Sequence, residues 1–217
     1  MSSPKRILRA AEVILILLAG EVLLAVTLAL VGFSAGFEGL NPIAHSRLTG
    51  LLAYVPPLLY IKLRKISVGE TDPWRRPSFR EAAPLCGATC ALASGFVVAH
   101  QAMAGNLSPV GTVAADGMTL FGHLESLAVD LIAAPALEEL IFRGVLLSAL
   151  IGSMNRGAAV FISAMVFSLS HLSVAEIPGA TLLGIISGFA FVRSESLVLC
   201  MLAHFVWNAT VVFFGAL

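Results

Sequence analysis

Residues 135–146 read Pro-Ala-Leu-Glu-Glu-Leu-Ile-Phe-Arg-Gly-Val-Leu, or PALEELIFRGVL. Two adjacent carboxylates, Glu138 and Glu139, and one guanidinium, Arg143, stand among apolar side chains. If the stretch is a helix inside a bilayer, its charges are expensive to bury, and an intramembrane ionisable residue is a functional candidate by default. The rest of the chain supports that setting. Of its 217 residues 58% are hydrophobic and only 12% charged, and the mean hydropathy is +0.94. This is far from the balance of a soluble domain. It predicts an all-α polytopic membrane protein, a single integral membrane domain over 1–217 with its motif-bearing core at about 120–217.

Thirteen basic and thirteen acidic residues cancel, which removes any general case for a nucleic-acid partner. Cys86, Cys90 and Cys200 lie in apolar runs, where a free thiol behaves as a small hydrophobe and no disulfide framework is implied. The apolar run that follows MSSPKRILRA extends from Ile7 to about Gly32. That is longer than a signal-peptide core and is expected to stay as a first membrane helix.

With about 20 apolar residues needed to span a bilayer, eight candidate segments emerge, near 7–32, 48–61, 84–102, 120–134, 136–152, 157–171, 178–193 and 197–215. The fourth carries His123, Glu125 and Asp130 and is the one that need not span fully. Lys5, Arg6 and Arg9 precede the first segment, and Lys62, Arg64, Lys65, Arg75, Arg76 and Arg80 lie between the second and third. The positive-inside rule puts both groups on the cytoplasmic side. Gly32 with Gly36, and Gly184 with Gly188, have the spacing that lets helices approach closely.

Pro135 suits the first turn of a helix, where its missing N–H is not needed, so a helix is expected from Pro135 to about Ser153. Glu139 and Arg143 are then i and i+4, on one face and able to pair. Glu138, turned about 100° from Glu139, need not share that pair. The short turn GSMNRG joins this helix to AAVFISAMVFSLSHLS, predicting an antiparallel hairpin. Glu138 and His171 then lie at one depth, each about 24 Å from the turn. Alternation from the basic loop would point the turn outward and set Glu138 and His171 toward the cytoplasm. In LAHFVWNAT, His204 and Asn208 are again i and i+4.

Two Glu, one Arg, two His and one Asn on three apolar segments are too costly to serve as helix glue alone. No GxSxG nucleophile motif and no HExxH are present. A Glu138 base with His171 could activate a water, and His204 with Asn208 could donate to the resulting oxyanion. That is the layout of a peptide-bond hydrolase without a covalent intermediate. No cofactor is called for and no metal ligand is assigned. Two other readings of the same residues stay open. One is a zinc-dependent membrane protease with Glu138, His171 and His204 as ligands. The other is an inactive immunity or scaffold protein.

EExxxR at Glu138, Glu139 and Arg143, FxxxH at Phe167 and His171, and HxxxN at His204 and Asn208 together resemble the three motifs of the CAAX protease and bacteriocin-processing family. These are intramembrane glutamic endopeptidases related to the type II CAAX prenyl endopeptidases. With the hydropathy count and the positive-inside rule, the expectation is a bundle of about eight transmembrane helices in the cytoplasmic membrane of a prokaryote, amino terminus cytoplasmic. The resemblance implies an all-helical membrane fold with its active site opening toward the cytoplasmic side. It implies catalytic roles for Glu138, His171, His204 and Asn208, with Glu139 and Arg143 in support. The partners it implies are the lipid bilayer and a membrane-anchored or lipidated peptide or protein substrate. Glu21, in mid-span, and Asp130, about two turns before the motif, are further polar residues of interest. His45, His100 and His123 fall near segment ends and carry no assigned role.

Overall fold

In the computed structural model, residues 3–35, 50–69, 72–104, 120–171 and 174–215 are described. All regular structure among them is helical. Helix α1 is Ser3–Ala35. Helix α2 begins as a 3₁₀ turn at Leu51–Tyr54 and continues as Val55–Leu63. Helix α3 is Phe79–Ala104, and α4 runs without a break from Leu120 to Ile151. Helices α5 (Arg156–Ser170), α6 (Ile177–Ser194) and α7 (Leu197–Gly215) follow.

Four helices are long and apolar enough to cross a membrane, over Pro4–Thr27, Phe79–Ala102, Ile177–Ser194 and Leu197–Phe214; Leu51–Leu63 and Arg156–Ser170 are shorter apolar helices. Leu15, Leu23, Val98, Phe161 and Phe213 are all more than half exposed. Large apolar side chains turned outward are what a hydrocarbon solvent requires of a bundle whose backbone groups are satisfied internally. Only 22% and 17% of the α1 and α3 spans are buried, against 44% and 50% for α6 and α7, so α6 and α7 sit inside and α1 and α3 outside.

The paired segments 120–134 and 136–152 are a single helix, which corrects the expectation of a start at Pro135. Two π-helical stretches, Val129–Ala133 and Leu140–Leu147, flank a short α segment at Ala134–Glu139. In the first, the Ala134 N–H bonds Val129 O, five residues back. The widened turn lets the ladder pass a residue with no N–H to give. Proline therefore does not end the helix, and the expected turn between two helices is absent.

That fusion removes one membrane crossing and reverses the expected direction of everything after it. The 152–155 turn was expected on the side opposite the basic residues; it lies with them. A Cβ placed on Gly152 would be 3.9 Å from Arg6 Nη1. Arg6, Arg9, Arg64 and Lys65 share a cavity of about 450 Å³ with Val145 and Ala149 near the same end of α4. Along α4 and α5, Glu138 and His171 lie about 20 Å from that turn. The sequence expectation put the amino terminus and the Glu138–His171 level on one side and the 152–155 turn on the other; instead the amino terminus lies with the turn.

The remaining hairpin forms as expected. Asn155 caps α5, its Oδ1 accepting from the N–H groups of Gly157 at 2.8 Å and Ala158 at 3.4 Å. Helix α6 then packs on α5 through Gly184 and Gly188: a Cβ at either would come within 2.8 Å of Ala164 Cβ or Val160 Cγ1. The small-residue spacing at 184 and 188 thus marks a close helix contact, whereas Gly36 of the other pair lies outside the described residues. The basic loop is pinned into the bundle, with Leu197 N–H donating to Pro73 O at 2.7 Å and Ser196 Oγ to Arg75 O at 2.7 Å.

Candidate active site

The three motifs meet around Phe167. Glu139 is fully buried and Arg143 is 1% exposed; their side chains pair at 3.1 Å from Nε to Oε2. A guanidinium at this depth needs more than one neighbour. Its Cζ sits 4.6 Å over the Phe167 ring, a cation–π contact strengthened by desolvation, and its Nη2 donates to Gly184 O at 3.4 Å. The same ring meets His171 edge-on at a centroid distance of 4.8 Å and His204 at 5.8 Å. Phe167, in the FxxxH motif, is thus the apolar hub against which the charged groups are oriented.

His204 lies between the two carboxylates. Its Nδ1 is 2.9 Å from Glu139 Oε1 and its Nε2 is 3.6 Å from Glu138 Oε2. An ionised carboxylate only accepts, so Nδ1 carries a proton toward Glu139 and the ring orientation is fixed by that bond. Glu138 differs from its neighbour in being 13% exposed at the side chain. The Tyr54 hydroxyl donates to its other oxygen, Oε1, at 3.2 Å.

His171 ends α5. Its Nδ1 is 3.0 Å from Phe167 O, so Nδ1 is the donor and Nε2 is the nitrogen left to accept. Asn208 Nδ2 donates to Asp130 O at 2.8 Å. The first π stretch explains why that carbonyl needs such a donor. The Ala134 N–H that would meet it in an α-helix is bonded to Val129 O, and Pro135, one residue on, has no N–H. One amide hydrogen of Asn208 is committed there and the second is not.

Two cavities converge on these groups. One, of about 400 Å³, is lined by Glu21, Gly50, Tyr54 and Ser170, and the other, of about 280 Å³, by His204, Asn208, Phe96, Trp207 and Glu176. Asp130, Ala134, Glu138 and His171 line both. The structure therefore gathers Glu138, His171, His204 and Asn208 around one junction, with Glu139 and Arg143 buried behind it. Glu138 contacts His204 directly, whereas its relation to His171 is through the shared cavity wall. Phe96 and Trp207, with ring centroids 5.8 Å apart, give the second cavity an aromatic side.

Among the described residues, no group of three or more His, Cys, Asp or Glu side chains is placed to hold a metal ion, so the zinc reading finds no ligand set in this geometry. Tyr54 and Phe167 are site residues to which sequence reasoning assigned no role. A tyrosine hydroxyl in an apolar segment needs a partner, and that was the signal for Tyr54. Glu21 lines the first cavity with Tyr54 and Glu138. His45 lies outside the described residues, the side chain of His123 is likewise not described, and His100 makes a tilted ring contact with Phe96 at a centroid distance of 5.9 Å.

No curated protein and no solved structure matches the chain. Residues 121–210 match the family model for the type II CAAX prenyl endopeptidase Rce1-like proteins. This interval contains both π stretches, all three motifs and every residue of the buried charge cluster. Through that segment the chain is similar to the type II CAAX prenyl endopeptidase Rce1-like family.

Proposed function

We propose that this chain is an intramembrane glutamic endopeptidase, hydrolysing a peptide bond in a protein or peptide held in the bilayer by its own anchor. Glu138 is the base. It is the carboxylate that faces the cavities, while its neighbour Glu139 is committed to Arg143 and His204. A water at the junction of the two cavities gives its proton to Glu138 and attacks the scissile carbonyl, with His171 Nε2 accepting a hydrogen bond from the same water and holding it in line. His204, held between two carboxylates, turns Nε2 toward the oxyanion and in its doubly protonated form donates to it once Glu138 has taken its proton. The uncommitted amide hydrogen of Asn208 is the second donor. Protonated Glu138 then returns its proton to the leaving amine, and no covalent enzyme intermediate forms.

The observation that carries this reading is the unequal treatment of two adjacent carboxylates. One is neutralised at 0% exposure and the other is turned to a cavity beside two histidines. A scaffold protein has no need of that asymmetry. The test is cleavage of a panel of anchored reporter peptides by the purified protein, beside Glu138→Ala and His204→Ala, with and without a chelator. Cleavage lost in both variants and indifferent to the chelator is the expected result. Activity that survives in Glu138→Ala removes Glu138 as the base, and chelator-sensitive activity restored by zinc replaces this mechanism with a metal-dependent one.

A further inference from the structure

Eleven of the thirteen Lys and Arg residues gather at one end of the bundle. Three head α1 (Lys5, Arg6, Arg9), six lie in 62–80, and Arg156 and Arg193 lie at the α5 start and α6 end. These segments touch. Arg6 reaches the 152–155 turn, Arg64 and Lys65 share a cavity with Arg6 and Arg9, and Arg75 Nη2 donates to Ser194 O at 3.2 Å. The other two cations are Arg143, buried in the site, and Arg47, which lies outside the described residues.

The active-site cavities run the other way. From His204 the second cavity continues along α7 to Asn208 and Val212, and across to Glu176 and Gly179 at the α5–α6 connection. That connection is the far end of α5, about 22 Å along the helix from Arg156. The first cavity reaches Glu21 and Ala25, about 18–24 Å along α1 from Arg9. The ionisable groups that line one cavity or the other are Glu21, Tyr54, Asp130, Glu138, His171, Glu176 and His204, none of them Lys or Arg.

The positive-inside rule counts Lys and Arg in short loops close to membrane segments, and by that count the end carrying eleven cations is cytoplasmic. We infer that the active site opens toward the opposite, extracytoplasmic side, and that its substrate is a membrane-anchored chain whose scissile segment lies at the outer face. A carboxyl-terminal tail displayed in the cytoplasm is thereby excluded as the substrate. The orientation rests on charge and geometry alone, whereas the substrate half also rests on the hydrolytic reading above.

Two measurements in right-side-out membrane vesicles test it. Val174, 85% exposed in the α5–α6 connection, and Ser153, exposed in the 152–155 turn, are each changed to cysteine, with the wild-type thiols Cys86, Cys90 and Cys200 as background. A membrane-impermeant maleimide is expected to label Val174→Cys in sealed vesicles and Ser153→Cys only after lysis; the reverse pattern overturns the orientation. In the second arm one peptide is displayed on a single transmembrane anchor, either at the outer or at the cytoplasmic face. Cleavage of the outer display alone is expected, and cleavage of the cytoplasmic display alone overturns the substrate assignment. If neither is cleaved while the labelling follows expectation, the hydrolytic reading and the substrate assignment fall and the orientation stands.

Discussion

Adjacent residues of identical chemistry can be given opposite tasks by one helical step, and Glu138 and Glu139 are such a pair. Glu139 balances a guanidinium that is 1% exposed, so Glu139→Gln leaves a buried charge without its counter-ion. A destabilisation of about 3–5 kcal/mol is expected, as for other broken buried pairs, read as a lowered thermal midpoint in detergent. Tyr54→Phe removes one hydrogen bond to a carboxylate, an interaction worth about 1.5–3 kcal/mol. Hydrolysis is expected to fall roughly tenfold to a hundredfold with little change in thermal midpoint; unchanged hydrolysis would show that Tyr54 does not position Glu138. The motif spacing made the Glu139–Arg143 pair legible in sequence, because i and i+4 fix a shared face. For Tyr54 only the need for a partner was legible, not the partner itself, which is 84 residues away and which nothing local to YVPP names.

At the scale of the element, α4 works because its two π stretches release backbone carbonyls that distant segments then use. Asn208 donates to Asp130 O, and the Gly69 N–H donates to Gly144 O at 2.9 Å. The Ser148 N–H, which an α-helix would give to Gly144 O, is bonded to Arg143 O and Val145 O. The close approach of the basic loop depends on Gly144 having no side chain, because a Cβ there would lie 2.6 Å from Val68 Cγ1. Gly144→Ala is expected to lower stability by about 1–3 kcal/mol, the usual cost of overpacking, and to raise proteolytic nicking in 64–78. Wild-type stability and nicking in this variant would mean that the loop yields freely. The π turns also show where the sequence misled. Proline announces a helix start when its missing N–H is the only consideration, and a widened turn that dispenses with the same N–H leaves no mark on hydrophobic periodicity.

For the whole molecule, apolar composition and the three motifs were enough to expect a helical membrane bundle with polar groups converging from α4, α5 and α7. The handedness of that arrangement relative to the membrane was not, because it depended on whether 120–152 crosses once or twice. One fused helix changes the side on which every later loop emerges. The polar junction itself is insensitive to that choice, since Glu138 and His171 are at matching depths whichever end the hairpin turn occupies. The hydrolytic mechanism therefore rests on Glu138, and the isosteric Glu138→Gln variant tests it. Its kcat/KM on an anchored reporter would be measured beside its thermal midpoint. A fall of about 10²–10⁴ is expected, the range for loss of a general base, with the thermal midpoint close to that of the wild type. Hydrolysis at the wild-type rate by a folded Glu138→Gln protein would contradict it.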